Sequence, residues 1–346
     1  MTNYIFKRLF LMIPTLLGVL LMTFVIIQFV PGGPVEQYLA QAKEGVKSGQ
    51  SAEGGGTGSI YRGAQGMDEK RLAEIKALYG FDKSAPERFW QMLVQFTHFD
   101  LGTSFYQNKA VSELIFEKLP VSITLGLWTF LISYGVAIPL GIRKAVRAGS
   151  RFDLLTTFLV LLAYALPGFI LGVALLVVFG GQLQWFPLRG LISSNWADLS
   201  WPAKIVDYLW HIVLPITSMV LGSFAGITML TKNSFLEEIR KQYVLTARAK
   251  GLSEKQVLKK HVLRNALLPI MTGFPAAFIG AFFGSSLLIE TLFSLDGLGL
   301  LSYEAVIRRD YPVVMGTLFL FTLIGLFTKL VSDLSYVWVD PRVQLD

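Results

Sequence analysis

The sequence predicts an all-α polytopic membrane protein with six transmembrane helices and an extracytoplasmic loop region after the first. Composition is the first ground: 53% of the 346 residues are hydrophobic and only 16% are charged, far from the balance of a soluble chain. The second is length. Six stretches, at 9–30, 120–142, 154–180, 212–231, 267–289 and 313–328, contain no Asp, Glu, Lys or Arg. A helix crosses about 30 Å of hydrocarbon in roughly 20 residues, which the last stretch reaches only by continuing past Lys329. The third ground is that basic residues collect in alternate connections, as the positive-inside rule requires.

Lys7 and Arg8 precede the first span and place the N-terminus in the cytoplasm. The apolar run of this span exceeds the roughly 7–15 residues of a signal-peptide core. The small pair Ala40 and Ala42 lies well beyond its end, so residues 1–30 are expected to remain as an anchoring helix. Pro31-Gly32-Gly33-Pro34 stops that helix. Residues 31–118 then form the extracytoplasmic region, and their basic residues do not oppose this, because loops longer than about 60 residues translocate largely regardless of charge. Residues 41–66 read as a flexible Gly-rich insertion. The insertion includes Gly54-Gly55-Gly56-Thr57-Gly58 but lacks the Lys-Ser/Thr of a phosphate loop. Residues 67–80 read as a short amphipathic helix, and 89–105 supply aromatic and apolar side chains for packing at the membrane face.

The loop after the second span carries Arg143, Lys144, Arg147 and Arg151 with the single acid Asp153. It is therefore cytoplasmic, and with six spans the C-terminus returns to the same side. The outer connections, 181–211 and 290–312, hold two basic residues each. Pro14, Pro139, Pro167, Pro215 and Pro275 fall inside the spans, where they bend helices whose freed carbonyls find other partners.

The most charged segment of this apolar chain is 233–269. From Lys232 to Arg264 there are nine Lys or Arg against three Asp or Glu, a net of +6 in a chain of +7. Ser234 with Glu237, and Ser253 with Gln256, form two capping-box patterns that predict two helix starts. Gly251 between them suits a helix-ending turn at positive φ. The segment reads as helix, turn, helix on the cytoplasmic side, shaped to be gripped by another protein.

What is missing narrows the chemistry. No ionisable residue lies centrally in a span, against a proton-driven transporter, while a sodium-coupled secondary transporter using backbone carbonyls stays open. A membrane scaffold whose basic loop binds ribosomes or acidic lipid also stays open. The absence of cysteine excludes disulfides and thiolate metal sites. His98, His211 and His261 are far apart and show no metal-binding spacing. There is no GxSxG and no Walker A pattern, so the chain performs no bond chemistry and any ATP is hydrolysed by another protein.

The 233–269 segment resembles the EAA loop of the integral membrane subunits of bacterial ABC importers. The resemblance is to the dipeptide/oligopeptide/nickel group, through Thr246-Ala247-Arg248-Ala249-Lys250-Gly251 and Arg264-Asn265-Ala266-Leu267-Leu268-Pro269. Leu245 stands where the general pattern has glutamate, and Thr246 where it has the first alanine. Phe293-Ser294-Leu295-Asp296-Gly297-Leu298-Gly299, Arg309-Asp310-Tyr311-Pro312 and the run 8–34 extend the match over nearly the whole chain. Gly33, the Gly-rich insertion and Asn233-Ser234-Phe235-Leu236 look most like the Yej type, whose cargo is oligopeptides and microcin C.

The resemblance implies a type I ABC importer permease fold. Residues 119–333 would be its transmembrane domain, with the 233–269 coupling loop inside it, and 334–346 a cytoplasmic tail. It implies a bacterial inner-membrane subunit paired with a second, related permease and served by an extracytoplasmic solute-binding protein that delivers peptide substrate. A cytoplasmic ABC ATPase with two domains would bind the ATP and Mg, so this chain carries no cofactor and no nucleic acid partner is expected. The coupling helix would be 243–250, with Tyr243, Thr246, Ala247, Arg248, Ala249, Lys250 and Gly251 contacting the ATPase. Small side chains there allow close approach, and Arg248 and Lys250 can pair with acidic groups. A nickel or other small-solute permease of the same group is the near alternative.

Overall fold

The computed structural model describes residues 2–29, 82–283 and 286–339; the insertion 41–66 and the expected helix 67–80 lie outside them. The described residues are almost wholly helical. In chain order the helices are α1 (Thr2–Phe29), α2 (Ala85–Thr97), α3 (Val111–Val146), α4 (Arg151–Ala165) and α5 (Gly168–Leu175). They continue as α6 (Trp201–Ile239), α7 (Gln242–Ala249), α8 (Glu254–Val257), α9 (Leu263–Ala266) and α10 (Leu268–Phe283). The last three are α11 (Leu287–Leu292), α12 (Leu298–Arg308) and α13 (Tyr311–Val339). Among the described residues five helical stretches are long and apolar enough to cross a membrane, and a bent pair, counted as one span, makes a sixth. Large apolar side chains face outward, Phe10 at 72% exposure and Phe158 at 63%, a distribution that suits lipid rather than water.

The bent pair is the expected third span. It breaks between α4 and α5 by 94°. Leu166, held extended (φ −92°, ψ 124°) before Pro167, shows the restriction a proline places on its predecessor. Pro14, Pro139, Pro215 and Pro275 remain inside continuous helices. The difference lies in packing. Beyond Pro167, a Cβ on Gly168 would stand 2.8 Å from the Ser218 carbonyl oxygen, and one on Gly172 would meet Leu292 and Ser218. The second half of the span is thus laid directly on α6 and α11. It ends in a π-helical stretch, Leu176–Gln182.

The sixth span continues past Lys329, as its length requires, and forms α13. The fourth is the 39-residue α6, roughly 58 Å at 1.5 Å per residue, so it outreaches a bilayer core and carries the chain into the charged segment. The predicted helix start at Ser234 is corrected by this: Ser234 lies inside α6. Phe235 and Glu238 are both buried on that helix, so their packing carries it straight through the capping pattern.

The chain divides into two compact units. The first comprises Met1–Phe10, Phe116–Leu301 and Leu323–Asp346. Its main core joins Leu125, Ile212, Ile216, Val220, Ile289 and Phe293. The start of α1 is tied to α13 by the Tyr4 hydroxyl, which donates to Asp333 Oδ2 at 2.8 Å, and by Arg8 at 3.2 Å from the same oxygen. The Phe293–Gly299 stretch is closed at its two ends by the fully buried Glu290, which accepts the Leu300 N–H at 2.8 Å. Gly297 sits where any Cβ would strike that carboxylate.

The second unit comprises Leu11–Ile115 and Ser302–Thr322. Phe96 packs on Phe319 with centroids 4.9 Å apart. The buried Asp310 accepts Ser104 Oγ at 2.5 Å and the Phe105 N–H at 3.1 Å, so the Arg309–Pro312 motif anchors the turn before α3. Asp310→Ala would leave both donors without their acceptor. A loss on the order of 3 kcal/mol is expected from bonds to a charged group, read as a lower thermal midpoint in detergent, with Asp310→Asn losing less. An unchanged midpoint in the alanine variant would remove the anchoring role.

Candidate functional site

The charged segment folds as one packed element at the end of α6. Lys241 leaves the helix in extended conformation (φ −72°, ψ 149°), and α7 begins at once. α7 ends in a Schellman turn: the Gly251 N–H donates to Arg248 O at 2.9 Å and the Leu252 N–H to Ala247 O at 3.4 Å. Gly251 has φ +81°, as its place in the sequence required. The second expected helix start is real. Ser253 opens α8 with a capping box, its N–H bonded to Gln256 Oε1 at 3.1 Å. A π-helical turn, Leu258–Val262, leads into α9.

The inner face of this element is apolar. Val244, Ala247, Val257, Val262 and Ala266 pack together with Phe235 of α6 and Ala145 of α3. Polar bonds fix the register. The Tyr243 hydroxyl lies 2.5 Å from Glu238 Oε1 and 3.2 Å from His261 O, and accepts from Asn265 Nδ2 at 3.2 Å. Lys241 Nζ is 2.5 Å from Glu238 Oε2. Burial and the Glu238 carboxylate raise the Tyr243 pKa, so its hydroxyl stays protonated as a donor. The hydrogen bond to Glu238 raises that of Lys241.

The seven expected contact residues therefore divide. Thr246, Ala249 and Lys250 are exposed, with Gly251 at the turn; Ala247 is buried and Tyr243 is turned to the internal network. Arg248 faces Glu254, with Nε 2.8 Å from Oε1 and Nη2 donating to Oε2 at 3.1 Å, so its charge is engaged within the loop. Leu245, not among the seven, is the large apolar side chain on the outer face, at 50% exposure. Its signal was in the sequence: positions 245, 246, 249 and 250 share a helical face opposite 244 and 247. What the arrangement offers is a short, rigidly seated helix presenting one leucine, two small residues and a lysine.

Helices of membrane-crossing length define an integral membrane protein, and its charged segment is a packed helix–turn–helix at the end of α6. Residues 137–345 match the family described as binding-protein-dependent transport system inner membrane component. The chain is 51% identical to the peptidoglycan transport system permease protein YejB of Agrobacterium fabrum, over 100% of this chain and 99% of that protein. It is 52% identical to the inner membrane ABC transporter permease protein YejB of Escherichia coli O157:H7, over the full length of both. To the dipeptide transport system permease protein DppB of Escherichia coli K12 it is 31% identical over 99% of each chain. The inward-facing MetNI methionine ABC transporter shares the fold, with TM-score 0.50, 17% identity, and coverage of 66% of this chain and 97% of that one. The chain belongs to the family of binding-protein-dependent transport system inner membrane components. Within it the Yej-type resemblance holds, and the fold is that of a type I ABC importer permease.

Proposed function

We propose that this chain is a permease subunit of an ATP-driven importer of oligopeptides or peptide-like compounds, microcin C among them, in the bacterial inner membrane with both termini cytoplasmic. The observation that carries the reading is the outward face of α7, seated on the ends of α3 and α6. A second, related permease completes the pathway, and an extracytoplasmic binding protein delivers the cargo. A cytoplasmic ATPase of two domains holds the ATP and Mg and receives α7 in a groove. Relatives named for peptide, dipeptide and peptidoglycan transport support the substrate class. In the docked state Leu245 fills an apolar pocket, Thr246 and Ala249 allow close approach, and Lys250 meets an acidic rim. Closure of the ATPase domains then moves α7 and switches access by rigid-body motion.

The test is co-purification and uptake with all subunits present. Leu245→Asp places a charge at the centre of the docking face and should weaken ATPase capture by roughly tenfold or more, as loss of a central apolar anchor does. Wild-type capture by that variant would refute the docking face. ATP-independent, sodium-driven uptake by the purified wild-type chain would replace the whole reading.

A further inference from the structure

Asp153, the lone acid of a basic loop in the sequence, is the centre of a buried ionic knot. Its carboxylate receives Lys232 of α6, with Nζ 2.7 Å from Oδ1 and 2.8 Å from Oδ2. Lys144 of α3, fully buried, lies 3.1 Å from Oδ1. The Gly149 N–H donates to Oδ2 at 3.1 Å. Lys144 also donates to the Asp153 carbonyl at 2.9 Å and to the hydroxyls of Thr156 and Thr157 at 2.8 and 2.7 Å. One carboxylate thus joins three helices: α3 through Lys144, α4 through its own backbone, and α6 through Lys232.

The knot lies beside the seat of the coupling element. Ala145, next to Lys144, and Phe235, three residues beyond Lys232, both belong to the apolar cluster that holds Val244 and Ala247 of α7. The backbones also touch: a Cβ on Gly141 would stand 2.6 Å from Thr231 Cβ and 2.7 Å from the Thr228 carbonyl. Lys144–Asp153 alone would be a balanced pair closing the α3–α4 hairpin. Lys232 adds a second cation, and its bond is the one that leaves the hairpin and reaches α6. A second buried cation carries a desolvation cost that the hairpin does not need for itself.

We propose that the Asp153–Lys232 bond is a positioning pin for transport: it makes α3, α4 and the end of α6 move as one block when α7 is displaced. This rests on the proposed coupling role of α7 and deepens it, by naming how a displacement there reaches the α4 half of the bent span. Without the pin α7 still docks and the ATPase still turns over, but the motion is lost between α6 and α4.

Lys232→Met is the selective variant, because it leaves the Lys144–Asp153 pair intact and balanced. In liposomes holding the full importer, two quantities are read: ATP hydrolysis and ATP-driven peptide uptake. Lys232→Met should assemble in wild-type yield and hydrolyse ATP within about twofold of wild type, while uptake per ATP falls roughly tenfold, within the usual range of a coupling effect between two sites. Lys232→Arg, whose fork also spans both carboxylate oxygens, should restore uptake to within about threefold. Asp153→Asn combined with Lys232→Met should be no worse in uptake per ATP than Asp153→Asn alone, since one shared bond is lost once. Unchanged uptake per ATP in Lys232→Met overturns the pin. So does a parallel fall of assembly, hydrolysis and uptake, which marks a purely structural bond. Absence of ATP-driven uptake in the wild type itself would instead refute the proposed function.

Discussion

Gly251→Val abolishes most transport while leaving insertion of the protein in the membrane intact; that is the expected result, and it follows from one backbone angle. At φ +81° Gly251 occupies the left-handed region, which costs an ordinary L-residue about 1–2 kcal/mol and a β-branched one more. Space is not the obstacle, since a Cβ there would have no neighbour within 4 Å. The strain would open the Schellman bonds at Arg248 and Ala247 and release Leu252 from the cluster beneath α7. α7 then loses its fixed end and the docking face its orientation. Uptake should fall by roughly tenfold or more, as about 1.4 kcal/mol lost from the competent conformation implies. Gly251→Asn, which tolerates left-handed backbone, should stay near wild type. Equal uptake in the valine and asparagine variants would show that the turn does not position α7 for its proposed role.

That glycine was legible in the sequence because its role is local. The spans were legible for the same kind of reason: a run of about twenty apolar residues has few other uses. The capping box at Ser253 formed and the one at Ser234 did not, though the patterns are equivalent. What separates them is that Phe235 is buried in a cluster with Ala145, Val257, Val262 and Ala266, which no window around Ser234 contains. Pro167 breaks its helix and Pro215 does not, because the segment after Pro167 has α6 and α11 to lie on. The site was half legible. The small residues of α7 are visible in the sequence, which leaves Arg248 to pair with acidic groups on a partner, whereas the structure pairs it with Glu254 inside the loop. Its partner Glu254 lies across a turn whose geometry brings the two groups together only once Gly251 is left-handed. Asp153 was counted only for its sign, since its two lysines sit 9 residues before it and 79 after.

The largest loss of folded protein should come from Gly126→Leu, where α3 and α10 touch backbone to backbone. A Cβ at Gly126 would stand 1.8 Å from the Ala281 carbonyl oxygen and 2.7 Å from its carbon. Close approach of this kind, through small residues, is a principal source of helix association where lipid removes the hydrophobic drive. Overpacking in a deformable core costs about 1–3 kcal/mol; here no side chain can yield, so one helix must move. Gly126→Ala should already lower the thermal midpoint in detergent, and Gly126→Leu should give little monodisperse protein. Gly135, on the same helix with nothing within 4 Å of its Cβ position, supplies the control: Gly135→Leu should purify normally. A normal yield of Gly126→Leu would mean that α10 does not rest on α3 at this depth. The contact bears on transport as well as folding. α10 follows α9 through Leu267, whose carbonyl accepts the Ile270 and Met271 N–H groups at 3.0 and 2.9 Å, so the charged element leads directly into the helix that Gly126 holds. The same seam is packed by Phe130 against Phe274 and Phe278, with centroids 5.2 and 5.5 Å apart. On the proposed coupling role of α7, a displacement entering there meets α3 twice, at Ala145 beneath α7 and again at Gly126. Widening the second contact should uncouple the two even in the fraction of molecules that still fold.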